Sequence, residues 1–138
     1  TGVKLYVNRV FITDDEKEEY KGQINLKHTG TLPLVEAVRL MVLREGITDA
    51  STLKRIASLH KSGVLDDDEL ETLSAAFELL TGILLDKQIR DFRSGDKVGY
   101  HVDPNTLSER KQKRLTEALK SIDLLRKRVR SEFTADIF

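Results

Sequence analysis

Residues 66–93 read DDDELETLSAAFELLTGILLDKQIRDFR, and this stretch decides the fold. An acidic side chain three residues before a glutamate, followed by an apolar run, is a helix-start signature. No proline interrupts the run, and Ser94-Gly95 supplies a stop signal. A helix of this length extends roughly 40 Å, so other helices must flank it. Its apolar stripe is predicted to consist of Leu70, Leu73, Phe77, Leu80, Ile83, Leu84 and Phe92.

The segment 32–45 predicts a central helix. Pro33 lies in its first turn, where a missing N–H leaves no bond unmade, and Gly46 ends it. Apolar residues cover nearly every face, which is typical of a helix that is buried on all sides.

Two amphipathic segments complete the predicted bundle. A shorter helix at 50–62 begins at Asp49 or Ser51, and a last helix runs from a cap at Ser108 to about residue 133. The shorter helix is expected to face inward with Leu53, Ile56, Ala57 and Leu59.

The amino-terminal region has extended character. Residues 3–12 alternate apolar and polar side chains, and 22–26 predict a second short strand or an extended lead-in. The fold class is therefore mainly all-α, a helical bundle of about four main helices with a short extended or β segment at the amino terminus. We divide the chain into 1–23, a lead-in available for contact between domains, and 24–138, the bundle.

The two long predicted helices carry opposite charge. Residues 66–93 hold eight acidic side chains against three basic ones, whereas 107–133 hold nine basic against four acidic. Antiparallel packing would place these surfaces side by side. Each exposed pair contributes about 0.2–1 kcal/mol, so the pattern selects orientation more than it adds stability.

The composition of the chain excludes several classes of protein. The 138 residues have zero net charge and include no cysteine, which removes disulfides, thiolate metal sites and a cysteine nucleophile. No apolar run is long enough for a membrane span and no signal peptide is visible, so we expect a cytoplasmic protein without membrane contact. The start at Thr1 indicates a piece of a longer protein.

No metal site or catalytic residue is predicted in this chain. Asp66 and Asp68 form an Asp-x-Asp, but metal-dependent transfer would need them on a rigid strand, and a helix start favours acidic residues anyway. His28, His60 and His101 lack metal-ligand spacing. The basic last helix is mixed with acidic residues and poor in aromatics, so nucleic acid is not an expected partner.

Two polar features remain open on their residues alone. Lys27 precedes Gly30 and a helix start, where it would suit a phosphate or merely a solvated connector. Gln88, with Lys87 and Arg90, interrupts the apolar stripe and either lines a cavity or marks an exposed helix end.

Eight segments follow one another along the chain. They are Ile-Asn-Leu-Lys-His-Thr-Gly (24–30), Leu-Pro-Leu-Val-Glu-Ala-Val-Arg (32–39), Gly-Ile-Thr (46–48), Thr-Leu-Lys-Arg-Ile (52–56), Ala-Phe-Glu-Leu-Leu (76–80), Lys-Gln (87–88), Val-Asp-Pro-Asn-Thr-Leu-Ser (102–108) and Leu-Thr-Glu-Ala-Leu-Lys-Ser-Ile (115–122). In this order and spacing they resemble the C-terminal substrate-binding domain of DUF294-type nucleotidyltransferases, most firmly over 22–125.

The resemblance implies a role and its partners. Such proteins act in signal transduction and combine this domain with CBS domains, often a cyclic-nucleotide-binding domain, and a catalytic domain similar to the PII-protein uridylyltransferase. The catalytic domain would supply the Gly-Ser turn, the metal carboxylates, Mg²⁺ and a nucleoside triphosphate, so this fragment alone should be inactive and hold no cofactor. By the same resemblance, the residues expected to bind substrate here are Lys27, Arg55, Gln88 and Arg90.

Two alternatives accompany this interpretation. The bundle could instead be a non-catalytic interaction or dimerisation module of a signalling protein. A protein acceptor of the transferred nucleotide, and a homodimer, are both left open as partners. Separately, residues 3–15 are similar to a stretch in the middle domain of Hsp90 chaperones. We expect nothing after residue 15 to continue that similarity, which makes it a coincidence between strand-like segments.

Overall fold

The computed structural model describes residues 18–137, and four α-helices form its bundle. They are α1 (Leu32–Glu45), α2 (Thr52–Lys61), α3 (Asp67–Arg93) and α4 (Glu109–Ile137). The mainly all-α prediction is confirmed. The predicted strand at 3–12 lies outside the described residues, and the division between 1–23 and 24–138 stays a prediction.

Side-chain caps begin three of these helices where the sequence predicts them. The Asp66 carboxylate accepts the N–H of Glu69 at 2.8 Å, and the Glu69 carboxylate accepts the N–H of Asp66 at 3.0 Å. The Ser51 and Ser108 hydroxyls accept backbone N–H groups three residues later, at 3.3 and 3.2 Å. Local bonds of this kind satisfy first-turn donors that have no partner inside the helix.

One arginine joins the start of α3 to the end of α4, so these helices are antiparallel as predicted. Arg128 contacts the Glu69 carboxylate at 2.7 Å, the Val64 carbonyl at 2.7 Å and Glu132 at 3.1 Å. Burial alone would lower the pKa of Arg128, but the hydrogen bond to Glu132 and the charges of Glu69 and Glu132 outweigh it and raise the pKa. The guanidinium therefore stays charged at every ordinary pH.

A two-stranded antiparallel sheet ties the chain before α1 to the loop after α3. Strand β1 (Ile24–Asn25) pairs with β2 (His101–Val102), with Ile24 opposite Val102. The Leu26 N–H continues the ladder by donating to the Tyr100 carbonyl at 3.1 Å. The first strand lies within 22–26, which were predicted to be a short strand or an extended lead-in, whereas its partner lies between two predicted helices, where no strand was predicted.

Gly30 lies where the turn before α1 meets both long helices. It belongs to a π-helical turn, Lys27–Thr31, that runs directly into α1. A Cβ at this position would come within 3.0 Å of Leu80 on α3 and 3.4 Å of Leu119 on α4. Such contacts are tighter than usual, so any side chain here would make the leucine methyl groups shift, whereas glycine lets the core close around this position.

Several residues predicted to face inward are exposed instead. Phe92 is 77% exposed and Leu53 36%. The helix predicted to be buried on all sides, α1, exposes Leu40 and Leu43 on one face. The error has one cause: a helix in a four-helix bundle contacts neighbours over only part of its circumference, so an apolar residue elsewhere stays in solvent.

Candidate functional site

Two of the four predicted substrate-binding residues meet the same loop. The Lys27 ammonium lies 3.5 Å from the Tyr100 hydroxyl and 4.5 Å from the centre of that ring. The Gln88 amide donates to the Gly99 carbonyl at 3.5 Å. The strand pairing of β1 with β2 brings these two side chains to adjacent residues of the loop.

The predicted anion site at the start of α1 is already used by the chain itself. The Leu32 N–H donates to the Lys27 carbonyl, and the His28 N–H donates to the Asn25 side chain at 3.1 Å. The Thr29 hydroxyl closes the same turn on the Asn25 carbonyl at 2.7 Å. Lys27 is therefore held over Tyr100 beside a turn whose His28 and Leu32 N–H groups are taken.

Arg55 has a different environment from the other three. Its Nε donates to the Asp49 carbonyl at 2.7 Å, and the Asp49 carboxylate accepts a hydrogen bond from Ser58. These contacts join the loop before α2 to the helix itself. The structure does not bring Arg55 to Lys27, Gln88 or Arg90.

Arg90 lines a pocket of about 440 Å³ between the end of α3 and the start of α4. We call it the Arg90 pocket. Arg93 and Lys111 supply two further cations, and Asp86 supplies a carboxylate. The apolar part of its lining comes from Ile83, Ile89 and Leu107.

The residues that the structure describes do not neutralise the cations of this pocket. Within residues 18–135, the Arg93 and Lys111 side chains make no ion pair or hydrogen bond, and the Arg90 Nε reaches only the Asp86 carbonyl at 3.4 Å. By contrast, Lys87 on the same helix donates to both oxygens of buried Asp91, at 2.6 and 2.5 Å. The pocket therefore has a positive charge that the described part of the chain leaves uncompensated.

An apolar stripe on α3 borders the Arg90 pocket. Leu85, Ile89 and Phe92 are 57%, 40% and 77% exposed. Their spacing of four and three residues places them on one helix face, and Ile89 also lines the pocket. We call these three residues the α3 stripe. An exposed, contiguous apolar face of this kind is typical of a surface that another molecule covers.

The α3 stripe could have been predicted from the positions of its residues around the helix, but the prediction considered only one apolar face of α3. At 3.6 residues per turn, Leu85, Ile89 and Phe92 project from nearly the opposite side of α3 from Leu80 and Leu84. Phe92 was assigned to the core stripe because it is apolar, although at roughly 100° per residue it lies about 100° from the centre of the face that carries Leu80 and Leu84. Two apolar faces on one helix mean that one of them has no partner inside the bundle.

The family comparison agrees with the predicted resemblance. A family model described as "Putative nucleotidyltransferase substrate binding domain" matches residues 2–133. The chain belongs to this family. As a nucleotidyltransferase substrate-binding domain, it combines an apolar core with one end that carries both the Arg90 pocket and the α3 stripe.

A second similarity extends further than we expected. The chaperone protein HtpG of Sulfurimonas denitrificans is 26% identical over 136 residues, an alignment that covers 94% of this chain and 21% of that protein. The expectation that nothing after residue 15 continues a chaperone-like stretch was therefore wrong. The chain spans about a fifth of the length of this relative, and the similarity assigns no function here. No solved structure matches the chain.

Among residues 18–137, no helix has both the length and the apolar character that crossing a membrane requires.

Proposed function

We propose that this nucleotidyltransferase substrate-binding domain works as an accessory domain beside a catalytic domain outside the chain, in a multidomain signal-transduction protein. The catalytic domain, similar to the PII-protein uridylyltransferase, would supply the metal carboxylates and use Mg²⁺ and a nucleoside triphosphate. Family membership supports this proposal. The Asp-x-Asp of this chain supports it too, since Asp66 caps α3 with its carboxylate.

The observation that carries the proposal is the α3 stripe. Fully burying an apolar side chain of this size contributes about 1.5–3 kcal/mol, and Phe92 keeps most of its surface in solvent. Three such side chains on one helix face form a continuous patch, which differs from the singly scattered apolar residues of an ordinary surface. A domain that docks on a neighbour uses them as the centre of an interface.

The charges around the α3 stripe indicate the kind of neighbour. Arg90, Arg93 and Lys111 lie on its pocket side, with Asp86 as the one carboxylate of that lining. A second copy of this chain would bring the same positive border against itself, which is unfavourable. We therefore assign the stripe to an apolar surface with an acidic border on the catalytic domain.

Site-specific cross-linking in the full-length gene product tests this proposal. A photo-reactive phenylalanine analogue at Phe92 should cross-link to an acidic segment of the nucleotidyltransferase domain, located by mass spectrometry. The matched control is the same analogue at Leu124, which is 67% exposed on α4 and should not cross-link there.

Three results would overturn the proposal. One is a gene product that contains no nucleotidyltransferase domain, and another is cross-linking from Phe92 only to a second copy of the chain, which would favour the dimerisation alternative. The third concerns catalysis: the purified 138-residue fragment should not turn over nucleoside triphosphate, and turnover by the fragment would contradict a catalytic centre located elsewhere.

A further inference from the structure

We infer that the Arg90 pocket binds a phosphate-bearing small molecule. The ligand class follows from the pocket's own lining, while its use as a substrate of nucleotide transfer rests on the proposed function. A nucleoside triphosphate and a phosphorylated acceptor share this chemistry, and both would present their phosphate to the same cations.

Charge distinguishes this pocket from other surface pockets of the described residues. It has three cations and one carboxylate, Asp86, a formal balance of +2. A pocket between the middles of α3 and α4 has one arginine against two glutamates, and one near the start of α3 has one arginine against two carboxylates. A pocket between the start of α1 and the end of α4 has two arginines against one glutamate, a smaller excess of +1. In a chain of zero net charge, this concentration of positive charge at one concave site favours an anion.

The three cations are available to a ligand. Arg128, at the opposite end of α3 and α4, already bonds two carboxylates and a carbonyl. Arg93 and Lys111 have no such partner within residues 18–135, and a guanidinium can hold two phosphate oxygens at once. Holding like charges at one pocket is unfavourable until an anion joins them.

The size and lining of the pocket also suit a small ligand. Its volume of about 440 Å³ falls within the range of roughly 300–1,000 Å³ that is usual for small-molecule sites. Ile83, Ile89 and Leu107 provide apolar surface beside the cations, which would suit the base or sugar of a nucleotide. Because Ile89 belongs to the α3 stripe as well, a bound phosphate would lie next to the surface that we assign to the catalytic domain.

Titration calorimetry on the 138-residue chain at low salt tests the inference with three probes. Pyrophosphate and ATP should bind, and adenosine, which lacks phosphate, should not. Tighter binding of ATP than of pyrophosphate would identify a nucleotide as the ligand, and equal binding would identify the phosphate group alone.

Two double variants with the same charge change separate a site from general attraction. Arg90→Gln with Arg93→Gln should weaken ATP and pyrophosphate binding at least tenfold. Arg126→Gln with Arg130→Gln, an exposed pair on α4 that lines a different pocket, should leave binding within about twofold, a change that exposed charges alone can cause through long-range attraction.

The inference fails if both double variants weaken binding equally, if neither does, or if a single-stranded oligonucleotide binds more tightly than ATP. The cross-linking test is independent of these results. If no phosphate binding were found but Phe92 still cross-linked to a catalytic domain, the proposed function would stand without the phosphate site. If phosphate bound but Phe92 did not cross-link to a catalytic domain, only the phosphate site would stand.

Discussion

Gly30 shows how a single missing methyl group lets three elements meet. A Cβ there would lie 3.0 Å from Leu80 and 3.4 Å from Leu119, and both leucines belong to the core. Gly30→Ala should lower the free energy of unfolding by about 1–3 kcal/mol, the usual effect of overpacking. Urea denaturation followed by circular dichroism measures the change.

Gly82→Ala is the control for this substitution, because the change is chemically the same and the surroundings differ. Gly82 is exposed and lies inside α3. A Cβ added there would have no neighbour within 4 Å other than the backbone of its own helix. Alanine there should raise the free energy of unfolding by roughly 0.5–1 kcal/mol through helix propensity. If Gly30→Ala were also stabilising, the close approach would not limit packing.

At the scale of elements, the capping box of α3 is the clearest case of a local cause. Asp66→Ala removes the carboxylate that accepts the Glu69 N–H, and leaves only the reciprocal bond from the N–H of residue 66 to the Glu69 carboxylate. We expect a loss of about 1 kcal/mol in the free energy of unfolding. Asp68→Ala removes the same charge from the same turn without breaking the box and should cost less. Equal losses in a thermal or urea unfolding experiment would show that charge alone matters.

Features of this fold could be predicted from the sequence where the bonded residues lie close together along the chain, and could not where they lie far apart. The starts of three helices were predictable because Ser51, Asp66 and Ser108 bond to residues three positions away. Strand β2 was not, since His101 pairs with Asn25 across 76 residues of sequence. The candidate site shows the same limit: Arg90 was singled out from sequence, but only the antiparallel packing of α3 and α4 places Lys111 in its pocket.

At the scale of the whole molecule, zero net charge conceals an uneven distribution. The antiparallel helices pair Glu69 with Arg128 at one end, where acidic and basic segments meet. At the other end, Arg90 and Arg93 on α3 meet Lys111 on α4, and like charges converge. At the first end opposite charges pair across the bundle, whereas at the second the described residues leave a positively charged surface without a counter-charge for its excess.

The division between core and interface leads to a last prediction for the isolated chain. Replacing Leu85, Ile89 and Phe92 together by glutamine should change the free energy of unfolding by less than about 1.5 kcal/mol, since exposed substitutions are usually within 0.5 kcal/mol each. Leu80→Ala, a single change at a fully buried residue, should cost about 2–5 kcal/mol. Urea denaturation of both variants compares the two faces of α3 directly. A loss in the triple variant as large as that of Leu80→Ala would mean that this chain itself covers the α3 stripe, leaving no apolar face for a catalytic domain to dock on.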